Sequence, residues 1–143
     1  MKRAYGFTVA LLLLILMPTW CAAQDVQSYV NKGIENSQSG HYDQAIKDFD
    51  QALKLKPQDP ALITYKGIVY YARGNNSQAM QLFEEAIKLN PNFGRAYYQR
   101  GMIYLNTEKY DQALADITKA KGLGYGVDPD FIAMIKRKMG EQK

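Results

Sequence analysis

The sequence predicts an all-α solenoid: three helix-turn-helix units and a closing C-terminal helix. Three observations carry that expectation. Small residues recur at an interval of 34, as Gly33, Gly67 and Gly101, then Ala45, Ala79 and Ala113, then Ala52, Ala86 and Ala120. Between the alanines Phe49, Phe83 and Ile117 keep the same interval, and a fixed period of this length marks stacked supersecondary units. Inside one period the apolar spacing is helical, with Ile63, Gly67 and Tyr70 at i, i+4 and i+7 and Ala79, Phe83 and Ala86 repeating it after a break at 73–77.

The units are 26–59, 60–93 and 94–127, with helices predicted over 26–39, 42–55, 60–73, 76–89, 94–107 and 110–121. Gly74 suits the left-handed residue that ends a helix, and Asn75 or Ser77 can cap the next. Pro57 and Pro91 stop the second helices, and Pro60 fits a first helical turn. A mid-helix glycine costs about 1 kcal/mol relative to alanine. Three in one register therefore point to close helix approach, with Tyr70 and Phe83 filling the space beside them. After the glycine-rich run 122–126, Asp128 as N-cap and Pro129 in the first turn open a closing helix over 128–140. Its stripe of Phe131, Met134, Ile135 and Met139 covers the last unit, as repeat arrays require.

The 143 residues suit one domain, and a hydrophobic share of 47% against 22% charged excludes wholesale disorder. Residues 1–23 read as a secretory signal: Lys2 and Arg3, the apolar run Phe7 to Met17, Pro18, then Ala22 and Ala23. That run is 11 residues long, short of the roughly 20 that cross a bilayer as a helix. Cleavage after Ala23 leaves Gln24 first and an exported, periplasmic or secreted protein; an uncleaved anchor and a lipid on Cys21 are the alternatives, Trp20 being bulky for a lipidation site. Without Lys2 and Arg3, 16 basic residues face 14 acidic ones, too even a balance for nucleic-acid binding. Cys21 is the single cysteine, so the fold rests on packing without disulfides.

Chemistry is scarce. His41 falls in a turn without a base or metal partner, and Glu84 and Glu85, being adjacent on a helix, point apart. Run 122–126 follows a helix instead of a strand and lacks the Lys-Ser or Lys-Thr of a phosphate loop. Asn75-Asn76-Ser77 fits a glycosylation pattern but is read as capping. Lys136, Arg137 and Lys138 oppose a helix dipole at its C-terminal end. No metal, cofactor or enzymatic activity is expected.

These residues resemble the tetratricopeptide repeat family, whose unit carries an aromatic, Gly, Tyr, Ala, Phe, Ala and Pro at set offsets. The second unit matches with Ile63, Gly67, Tyr70, Ala79, Phe83, Ala86 and Pro91. The first has Tyr29, Gly33, Ala45, Phe49, Ala52 and Pro57 but Asn36 for Tyr; the third has Tyr97, Gly101, Tyr104, Ala113 and Ala120 but Ile117 for Phe and no closing proline. The resemblance implies a right-handed solenoid in which positions 2, 5, 9 and 12 of each unit face a concave groove. That line reads Gln27, Val30, Ile34 and Ser37; Ala61, Thr64, Ile68 and Tyr71; Arg95, Tyr98, Met102 and Leu105. Members that grip a C-terminal carboxylate carry cations and amides where this chain has Val30, Ile34, Arg95 and Gln99, so only Arg95 fits. The expected function is a periplasmic or envelope adaptor that binds a protein or peptide segment through Val30, Ile34, Thr64, Ile68, Tyr71, Arg95, Tyr98, Met102 and Leu105. The alternatives are a small-ligand module walled by Tyr71 and Tyr98 and a membrane-anchored assembly factor; a membrane enters only if residues 1–23 stay attached or Cys21 is lipidated.

Overall fold

Side-chain caps precede the helices Pro60–Ala72, Asn76–Leu89 and Pro129–Glu141, while His41, Phe93 and Lys109 precede helices without such a cap. In a computed structural model that describes residues 25–141, seven α-helices and no strand occur among the described residues. They are α1 (25–38), α2 (Tyr42–Leu55), α3 (Pro60–Ala72), α4 (Asn76–Leu89), α5 (Gly94–Asn106), α6 (Tyr110–Gly122) and α7 (Pro129–Glu141). The signal-peptide reading, Cys21 included, lies outside the described residues.

Asp59 caps α3 by accepting from the Ala61 and Leu62 amides at 2.9 and 3.3 Å, with Pro60 as the first helical residue. Asn75 caps α4 through the Gln78 amide at 3.1 Å, and Asp128 accepts from the Asp130 amide at 2.9 Å at the start of α7. The two helices of each hairpin are joined by a turn whose left-handed residue recurs every 34 positions: Gly40 at φ 77°, Gly74 at φ 87° and Glu108 at φ 58°. After each, the next amide returns to a helix carbonyl, from His41 to Asn36, Asn75 to Tyr70 and Lys109 to Tyr104 at 2.8 to 2.9 Å. Orphan carbonyls at the helix ends are satisfied in this way.

The glycine register is the hairpin contact. A Cβ on Gly33 would lie 2.8 Å from the Phe49 ring, one on Gly67 2.5 Å from Phe83, and one on Gly101 2.9 Å from Ile117. Those three partners are fully buried, as are Ala45, Ala52, Ala79, Ala86, Ala113 and Ala120. Close approach thus compensates the helix cost of glycine, and large side chains fill what small ones vacate.

Units join through α2 on α3, α4 on α5 and α6 on α7, while α3 also touches α5. Lys66 of α3 reaches Asp50 of α2 at 2.6 Å. Inside the third hairpin Arg100 holds buried Asp116 through two hydrogen bonds of 2.7 and 2.9 Å. The first unit answers the same register differently. There Asp48 is buried, and Asn36 donates to it at 2.7 Å with Gln44 at 3.3 Å. Asn36 thus stands at a register that holds tyrosine in the other two units and supplies the shorter of the two hydrogen bonds that satisfy this buried carboxylate.

Helix α7 docks differently from the first helices of the units: Asp130 and Arg137, 34 residues beyond buried Ala96 and Ile103, are exposed. Ile135 lies 34 residues beyond Gly101 and is fully buried. It therefore places a branched side chain at the register where the three units carry glycine.

Candidate binding groove

Positions 2, 5, 9 and 12 leave each first helix on one line because four-residue and three-residue steps return to the same helix face. The hairpin partner occupies the glycine side, so this line points elsewhere. Contact between α3 and α5 sets these first helices side by side.

The structure separates the nine expected residues into two groups. Val30 and Thr64 are buried, with 8% and 0% exposure. Val30 belongs to the core formed with α2, and the Thr64 hydroxyl donates to the Pro60 carbonyl at 2.7 Å. Buried side chains of this kind are not open to a partner. Ile34, Ile68, Tyr71, Arg95, Tyr98, Met102 and Leu105 are half-buried and keep surface open to solvent. Ile68 and Tyr71 rest on the core of Ala79, Phe83 and Ile103.

Arg95 carries the distinctive geometry. Its guanidinium carbon lies 4.8 Å from the Tyr65 ring centroid, and Nη1 donates to the Tyr65 hydroxyl at 2.8 Å. The Tyr65 ring in turn stacks on Phe49, with centroids 5.7 Å apart and planes inclined by 6°. One side chain from each unit thus enters a continuous column, held by stacking and cation–π attraction. Nε of Arg95 is enclosed without a hydrogen-bond partner. At the other end of α3, the Tyr71 hydroxyl accepts from the Asn106 side chain.

Tyr98 faces the closing segment. Its ring lies 4.9 Å from that of Tyr125 and 6.4 Å from that of Phe131. Desolvation, and then the neighbouring Tyr125, raise its pKa above the ordinary 10.0 of a phenol. Beside it an open cleft of about 450 Å3 is lined by Ala61, Phe93, Arg95, Leu123 and Tyr125 among others. Among the described residues no three His, Cys, Asp or Glu side chains cluster as a metal site.

Sequence reasoning missed Tyr65, Asn106, Tyr125 and Phe131 as shapers of this surface. Tyr65 and Arg95 are 30 residues apart, off the repeat interval, so no periodic track links them. Only the stacking of one unit on the next does.

Comparison with known proteins resolves the family. Tetratricopeptide repeat profiles match residues 26–59 and 94–123, and a TPR repeat profile matches 67–108. The chain belongs to the tetratricopeptide repeat family. This tetratricopeptide array is similar in structure to the first TPR of Spaghetti (RPAP3) bound to an HSP90 peptide, with TM-score 0.72 and 22% identity over 82% of this chain and 94% of that one. It is similar to the Sgt2 TPR domain from Aspergillus fumigatus, with TM-score 0.73 and 22% identity over 82% and 80%. The TPR2B domain of yeast Sti1 in complex with pHsp70 gives TM-score 0.71 and 19% identity over 84% and 99%. At these identities the likeness is one of fold. No curated protein matches the sequence. An array of such repeats is a protein-interaction module, built to present a surface.

Proposed function

We propose that this tetratricopeptide protein is a non-catalytic adaptor of the bacterial periplasm or cell envelope, which takes a short apolar or amphipathic segment of a partner into its concave groove. The observation that carries this reading is the line of half-buried apolar side chains, Ile34, Ile68, Tyr71, Met102 and Leu105, across three successive first helices. Apolar surface held open to water costs hydration, and a contiguous stripe of it favours a covering partner. Val30 and Thr64 are buried and support the helices beneath it, and Arg95 and Tyr98 share the same helical line. Peptide complexes named for the relatives, an HSP90 peptide on RPAP3 and pHsp70 on yeast Sti1, support a peptide-sized occupant. The open cleft beside Arg95 favours a segment over a small ligand, since small-ligand sites enclose most of their ligand.

The test is a photoreactive residue in place of Leu105, compared with one in place of Glu84, which is exposed on α4. Crosslinks to a defined segment from position 105 and none from 84 are expected; equal capture from both sinks the groove. Export rests on the charged, apolar and small-residue order of residues 1–23. N-terminal sequencing from the native host should find Gln24 first; Met1 points to an anchor.

A further inference from the structure

Leu55 and Leu89 are the large hydrophobic residues that stand exposed among the described residues, at 44% and 38%. Each is the last residue of a second helix, α2 or α4, and they are one repeat interval apart. Burial along the two helices agrees position by position. Ala45, Phe49 and Ala52 are buried as Ala79, Phe83 and Ala86 are, and Lys54 and Lys88 are exposed alike. Both helices therefore present their C-terminal ends to one edge of the solenoid, an edge distinct from the groove line carried by the first helices.

Charge on this edge has one sign. The repeat windows 53–58, 87–92 and 121–126 hold Lys54, Lys56, Lys88 and Lys121 and no Asp or Glu. All four lysines are exposed, and none joins an ion pair among the described residues. Glu84 and Glu85 lie a turn back on α4, and Asp59 is engaged in capping α3. Beside Leu53 an open depression of about 520 Å3 is lined by Lys47, Lys54, Gln51, Pro57 and Asp50, whose carboxylate is already paired with Lys66 at 2.6 Å. Single leucines set among free lysines differ from a protein-docking face, whose centre is apolar and depleted in lysine. They match a bilayer interface, where an apolar side chain enters the acyl boundary and ammonium groups on flexible stems stay level with the phosphates.

We propose that this edge rests on an anionic phospholipid surface, with Leu55 and Leu89 inserted among the headgroups and Lys54, Lys56, Lys88 and Lys121 against their phosphates. Contact of this kind does not require residues 1–23. It uses the ends of the second helices, so the groove line stays free for a partner.

Single-tryptophan variants of the full-length protein test the edge, built on Trp20→Phe because Trp20 is the one tryptophan of the chain. Leu55→Trp and Leu89→Trp report the edge, and Gln112→Trp, exposed in the first turn of α6, reports the opposite end of a second helix. Vesicles of mixed phosphatidylglycerol and phosphatidylcholine should shift the emission of both edge tryptophans to the blue and leave Gln112→Trp unmoved. Vesicles of phosphatidylcholine alone should shift none of them. Lys54→Gln and Lys88→Gln should each weaken partitioning about fivefold, the effect of one basic residue near an anionic surface. Edge tryptophans that stay unmoved while vesicles bind through residues 1–23, or that shift equally on neutral vesicles, would overturn the inference, as would no binding at all. Crosslinking from position 105 is read separately, so each of these failures leaves the groove proposal standing.

Discussion

Glu108 is the residue that departs from its own repeat. Its counterparts Gly40 and Gly74 take left-handed backbone without a side chain, whereas Glu108 holds φ 58°. An L residue there costs about 1–2 kcal/mol, partly offset by the greater freedom glycine gains when unfolded. Glu108→Gly should therefore raise stability by about 0.5–1 kcal/mol, read as a higher urea midpoint at unchanged slope. A lower midpoint would mean the carboxylate contributes something the turn geometry hides. Tyr98 makes a pH-dependent prediction. Because its folded pKa is raised above 10.0 by desolvation and by Tyr125, its contribution is fully present below that value and is lost as pH rises through the folded pKa. The melting temperature should fall more steeply above pH 10 in the wild type than in Tyr98→Phe. The glycine positions themselves were legible in the sequence, because their interval implied close approach and the Phe83 ring now lies 2.5 Å from where a Gly67 Cβ would be. Thr64 was not legible as buried, since its hydroxyl is satisfied within its own helix.

At the scale of elements, helix limits follow sequence closely because the turns between helices repeat and several ends carry their own caps. Proline opens α3 and α7, an aspartate or asparagine caps α3, α4 and α7, and a left-handed residue closes each hairpin turn. Apolar spacing identified α7 as a closing helix. Its orientation was hidden, since Ile135 is buried at the register that faces a hairpin partner elsewhere, while Asp130 and Arg137 are exposed. Truncating that side chain tests how the helix is attached. Ile135→Ala should cost about 2–5 kcal/mol as a fully buried aliphatic. In a linear array the loss falls first on the terminal element. Hydrogen exchange should therefore rise across 129–141 while α3 and α4 stay protected; uniform loss along the chain would show α7 to be part of the central core.

For the whole molecule, the solenoid was readable because stacked units repeat one local solution. Contacts between units were not, since the Phe49, Tyr65 and Arg95 column joins three side chains that no single interval relates. The groove was legible as a line and illegible in depth: the same helical face that exposes Ile68 buries Val30 and Thr64. Cooperativity tests the column. Tyr65→Ala should broaden the urea transition, lowering its slope, because units that lose their coupling unfold less in concert. A shift in midpoint with an unchanged slope would show that α2 on α3 and α4 on α5 suffice. Ile135 also bears on how such a chain can lengthen over generations. Duplicating a unit inside the array would present a glycine to each new second helix, so insertions there are accommodated. In α7 that register is already taken, because Ile135 is fully buried against the existing array and offers no glycine seat. Growth by duplication is therefore easiest inside the array, where each unit brings its own glycine seat.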